Sequence, residues 1–142
     1  MSPAEGEPGS ELGSSALDDA DRRTRRKFRQ AAFFYLHVGL LYEAAVWVLW
    51  RQGAIDDSRG PVWMYLVLGA VILGVVFWGL WSWRSRWFAR IVWGLHALRI
   101  PALIEGSFLP ETDAALPPSF YLVALAVVVV NLWMLARAGW DL

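Results

Sequence analysis

Among the polar and charged side chains inside the long apolar stretches of this 142-residue sequence, five are candidates for chemistry. They are Glu43, Arg99, His96, His37 and Asn131. A polar group that is surrounded by apolar material loses its hydration, so such residues pair with one another, line a cavity or carry function. We therefore expect these five residues to form one polar cluster, positioned by the helices that carry them.

The apolar stretches are long enough to be membrane spans. They cover residues 31–50, 62–83, 87–109 and 119–138. A hydrocarbon core of about 30 Å needs about 20 helical residues. Hydrophobic residues make up 57% of the chain and charged residues 18%, against roughly 45–50% and 25% in a soluble domain. The sequence predicts an all-α, integral membrane four-helix bundle.

Glu43 and Arg99 are expected to form an ion pair within the membrane. At about 1.5 Å per residue, both lie roughly 18 Å from the inner end of their segments. Equal depth and opposite charge favour a contact between the first and third helices. Two interpretations stay open, because such a pair can lock helix packing or can take part in transport.

Two histidines and a proline complete the polar pattern. His37 and His96 are expected to converge with Asn131 in a layer beneath the ion pair. Two histidines on two helices are also the pattern of bis-imidazole haem ligation. The alternative is that each imidazole bonds a neighbouring carbonyl. Pro101 predicts a helix kink beside Arg99, because proline lacks the backbone N–H that a helix interior needs.

Basic residues are placed unevenly and predict the orientation of the chain. The turn between the second and third segments carries Arg84 and Arg86, whereas residues 110–118 carry neither lysine nor arginine. The positive-inside rule then places both termini in the cytoplasm. A basic cluster expected to face anionic lipid precedes the first segment: Arg22, Arg23, Arg25, Arg26, Lys27 and Arg29.

The chain divides into three predicted regions. Residues 1–15 are rich in Pro, Gly, Ser and acids and predict a disordered tail. Residues 16–30 predict a basic juxtamembrane helix that continues into the first span, since acids precede arginines at helical spacing. Residues 31–142 form the transmembrane domain.

Several chemistries find no pattern in the sequence. The chain has no cysteine and a formal net charge of zero, which argues against disulfides, thiolate metal sites and nucleic-acid binding. No Gly-rich phosphate loop, HExxH motif or Gly-x-Ser-x-Gly elbow occurs. We expect no enzymatic activity, no metal site and no cofactor, with haem as the one alternative.

Three functions fit these features. The first is a structural or accessory component of a bacterial-type inner or plasma membrane, working in the lipid bilayer as a homo-oligomer or in a larger complex. The second is a small proton- or ion-coupled transporter that uses Glu43 and Arg99. The third is a haem-binding redox protein that uses His37 and His96.

The transporter interpretation has a resemblance in layout. Four short helices with an acid in the first is an arrangement that resembles the small multidrug-resistance transporters. Their motif, an alanine before the acid and a valine after it, is not met by Tyr42, Glu43 and Ala44. No family is assigned on this basis.

Overall fold

The computed structural model describes residues 9–55, 60–109 and 118–142, and every regular element within them is helical. The expected all-α class is confirmed. The elements are α1 (Gly9–Arg51), α2 (Val62–Trp78), a π-helical segment (Gly79–Trp83), α3 (Arg86–Ala97), α4 (Ile100–Phe108) and α5 (Pro118–Trp140).

Three of these helical stretches are long and apolar enough to cross a membrane. They are Ala16–Arg51, Val62–Trp83 and Pro118–Trp140. Their length and composition indicate a membrane protein with transmembrane helices. The number of passes depends on α3 and α4, which are each too short to span alone.

The predicted single span over 87–109 is instead two short helices. Helix α3 ends at Ala97, a turn follows at Leu98 and Arg99, and α4 begins at Ile100. Pro101 cannot donate a backbone hydrogen bond, and its ring clashes with the preceding turn of a continuous helix. It is accommodated in the first turn of α4, where the amide has no helical partner in any case. The interruption therefore falls just before the proline.

Helix α1 is longer than expected at its N-terminal end. It begins at Gly9 rather than near Ala16, so the predicted tail over 1–15 is partly helical. Residues 1–8 lie outside the described residues. Once a helix is nucleated, adding a residue to its end costs little free energy. The 43-residue helix is about 65 Å long at 1.5 Å per residue.

The connection between α2 and α3 is tight. The helix widens into the π-helical segment and stops at Arg84, whose φ of 47° is left-handed. Ser85 then caps α3 by accepting a hydrogen bond from the Phe88 backbone N–H at 3.3 Å. This reversal brings the start of α3 against the π-helical segment, where Phe88 lies close to Gly79.

The best-packed part of the molecule lies at one end of the helices. Helix α1 packs on α2 and α5, and α5 packs on α3 and α4. The buried core joins α1, α2, the π-helical segment, α3 and α5 through Phe28, Ala31, Ala32, Val76, Leu80, Ala89, Val92, Leu135 and Ala138. The outer faces of the long helices carry many exposed apolar side chains, as expected where lipid is the solvent.

Candidate functional site: a buried polar contact and a basic groove

A hydrogen bond between His96 and Asn131 is the centre of the polar cluster. The Asn131 side-chain Nδ2 donates to His96 Nε2 at 3.1 Å, joining α5 to α3. His96 is 8% exposed and Asn131 is 1% exposed. The Asn131 Oδ1 atom is also buried and has no hydrogen-bond partner in the described chain. An unsatisfied buried carbonyl of this kind costs about 1–3 kcal/mol.

Tyr35 belongs to this cluster, although its sequence position did not single it out. Its ring lies 5.6 Å from the His96 ring, centroid to centroid. Helix α1 therefore supplies a third wall to the contact between α3 and α5. The available signal was helical spacing, because Tyr35 follows the buried Phe28, Ala31 and Ala32 on the same face of α1.

His37 lies apart from His96 and Asn131. It is exposed, and its Nδ1 donates to the Phe33 carbonyl at 2.7 Å. A hydrogen bond from the imidazole to a neighbouring carbonyl is the arrangement expected of a histidine that does not ligate haem. A haem held by both histidines needs both imidazoles to face one iron, whereas His96 Nε2 faces Asn131. The two imidazoles therefore face different neighbours in this structure.

Glu43 and Arg99 do not form a direct ion pair. The ion pairs within residues 9–55, 60–109 and 118–142 are Arg25–Asp21, Lys27–Asp141 and Arg86–Asp141. Arg99 is exposed at the break between α3 and α4. Glu43 is half-buried, and its carboxylate lies where a side chain on Gly69 of α2 would have to go. The acid thus packs at the contact between α1 and α2.

The basic cluster divides into residues with three different surroundings. Arg23 is exposed on α1. Lys27 reaches the chain end and donates to Asp141 at 2.8 Å. The remaining four line an open groove between α1 and α5, together with Arg137 of α5: Arg22, Arg25, Arg26 and Arg29.

The structure offers little to a metal ion. Within the described ranges, no group of three or more His, Asp or Glu side chains is placed to hold one.

In the comparisons with known proteins, no family model, curated protein or solved structure matches this chain. The functional argument therefore depends on the chain's own residues.

Proposed function

We propose that this chain is a small polytopic membrane protein that acts as an accessory component by packing against another membrane protein. The observation that carries the proposal is a notch of small residues on α2. Ala70 and Gly74 are exposed and lie four residues apart on one face. No atom lies within 4 Å of the position that a Gly74 Cβ would take.

A notch of this kind suits a helix from a partner. In lipid, where apolar burial supplies little driving force between helices, association depends on close backbone approach and van der Waals contact. Small residues four apart permit that approach, whereas bulky side chains prevent it. The interior polar contact between His96 and Asn131 stabilises the chain's own packing and leaves the notch free for an external helix.

The test is co-purification in mild detergent. Gly74→Leu fills the notch at an exposed position where the added Cβ meets no atom within 4 Å, so we expect loss of the partner with normal folding of the monomer. Ile72→Leu is the matched control, because this exposed position on α2 already holds a large side chain. Retention of all associated proteins by Gly74→Leu would contradict the proposal. Exclusive association with copies of the same chain would identify a homo-oligomer.

A proton- or ion-coupled transporter is the second candidate, and Glu43 favours it. The carboxylate forms no hydrogen bond or ion pair with the part of the chain that the structure describes. An unpaired acid within a membrane span is costly and is a common feature of proton-coupled sites.

The transport candidate is tested with proteoliposomes under an imposed pH gradient, with ethidium as the cationic probe. Transport predicts ethidium movement that Glu43→Gln abolishes. Glu105→Gln, which neutralises an exposed acid on α4, should leave the movement intact. Equal movement in protein-free liposomes and in both variants would exclude this candidate and leave the accessory function standing.

A further inference from the structure

The groove between α1 and α5 has a charged part and an apolar part. Its volume is about 810 Å³, and five arginines line it. Phe33, Phe34 and Met134 line the same groove and give it an apolar wall. It lies where the basic residues of α1 meet the start of the first apolar stretch at Ala31.

The positive charge in the groove is only partly neutralised from within the chain. Arg25 pairs with Asp21 on the same helix. Asp18 and Asp21 also border a smaller hollow that they share with Arg22 and Arg25. On the described residues, by contrast, no carboxylate lies within ion-pair distance of Arg26, Arg29 or Arg137. The groove therefore carries uncompensated positive charge from two helices.

One of these arginines is held in place by an aromatic ring. The Arg29 guanidinium carbon lies 4.7 Å from the centre of the Trp81 ring. Trp81 itself is braced by Phe33, with ring centres 5.4 Å apart. A stacked guanidinium keeps its N–H donors in a fixed direction, and its planar fork matches the oxygens of a phosphate. Arg29 is thus oriented before any ligand arrives.

We propose that this groove binds the headgroup of one anionic phospholipid. The phosphate lies between Arg26 and Arg29 of α1 and Arg137 of α5, and the first part of an acyl chain lies along Phe34 and Met134. A free phosphate would contact only the arginines, whereas a lipid would contact the arginines with its phosphate and the apolar wall with its acyl chain. This binding goes beyond the accessory function proposed above and does not depend on it.

The test measures lipid binding to the full chain in a neutral detergent by native mass spectrometry. Phosphatidylglycerol is the probe, phosphatidylcholine is the zwitterionic control, and excess inorganic phosphate is the free-anion competitor. Arg26→Gln and Arg137→Gln remove charge from the two sides of the groove. Arg23→Gln is the matched control, since it removes the same charge from the same basic segment but outside the groove.

The expected result is preferential binding of phosphatidylglycerol that phosphate does not displace. Each basic residue contributes about 1 kcal/mol to lipid binding, so Arg26→Gln and Arg137→Gln should each raise the Kd about fivefold. Arg23→Gln should leave the Kd unchanged. Equal weakening by Arg23→Gln would show attraction to general surface charge and would overturn the site. Displacement by phosphate, or equal binding of phosphatidylcholine, would overturn the lipid assignment. Helicity and elution volume show that the variants are folded.

Discussion

At the scale of single residues, the polar side chains of the interior lie at separate contacts between helices and do not form one cluster. His96 and Asn131 share one hydrogen bond between α3 and α5, and Tyr35 packs beside them. Glu43 instead packs on Gly69. The cost of burying polar atoms in hydrocarbon identified these residues in the sequence. Which of them meet depends on the rotation of each helix about its axis, and spacing along one helix does not determine that rotation.

The His96–Asn131 contact makes an asymmetric prediction for stability. His96→Leu leaves the whole Asn131 amide buried without a partner, so we expect a loss of about 1–3 kcal/mol. Asn131→Leu should cost less, because it also removes the unsatisfied Oδ1. Adding Asn131→Leu to His96→Leu should recover part of the loss. Unfolding of each variant in mixed micelles measures these differences, and strictly additive losses would show that the two side chains are not coupled.

At the scale of elements, glycines determine how closely α1 and α2 approach. A Cβ on Gly39 would collide with the side chain of Leu73, which is buried, and one on Gly69 would collide with Glu43. The sequence predicted the helices from length and hydropathy and placed an interruption near Pro101. It did not predict that α3 ends at Ala97, because a proline is compatible both with a kinked helix and with two separate helices.

Two glycines with different surroundings give a matched pair of variants. Gly39→Ala should destabilise the protein by about 1–3 kcal/mol, because the added methyl overpacks the contact with Leu73. Gly74→Ala meets no atom of its own chain and should be neutral, or stabilising by up to about 1 kcal/mol through helix propensity. Thermal unfolding in detergent compares the two. Equal effects would contradict the close approach of α1 and α2 at Gly39.

At the scale of the whole molecule, the end of α5 meets the middle of α1. Asp141 follows α5 and accepts hydrogen bonds from Lys27 of α1 at 2.8 Å and from Arg86 of α3 at 3.3 Å. Arg90 adds a hydrogen bond to the Gly139 carbonyl at 3.1 Å. These contacts place the start of the first apolar stretch and the end of the last at the same end of the molecule.

The contacts of Asp141 predict a pH dependence. The hydrogen bond from Lys27, the charge of Lys27 and that of Arg86 hold the pKa of Asp141 below its ordinary value of 3.8. A lowered folded pKa adds stability above the unfolded value, and that contribution is lost as pH falls through the folded value. The contact should therefore stay closed until the pH is below 3.8. The carboxyl ¹³C shift of Asp141 measures its titration, and a midpoint at or above the ordinary value would contradict the contact.

The same contacts predict the sidedness of the chain ends. Helices α1 and α2 pack together, and α5 runs beside α1 and the α3–α4 pair. We expect α3 and α4 together to cross the bilayer, because their 12 and 9 residues give about 30 Å of helix and such a pass would return α5 to the side of Lys27. Fluorescent-protein and alkaline-phosphatase fusions at each terminus should both report the cytoplasmic side. Reports from opposite sides would mean that α3 and α4 do not complete a pass.

The sequence alone determined that the chain is helical and apolar enough to cross a membrane, because helix length and hydropathy are local properties. It also determined which polar residues are costly to bury and where the basic residues concentrate. Only the tertiary structure decided that His96 meets Asn131, that Glu43 meets Gly69 and that Arg137 joins the arginines of α1 in one groove. Those contacts depend on how helices far apart in sequence rotate and approach, and the packing of whole faces sets that approach.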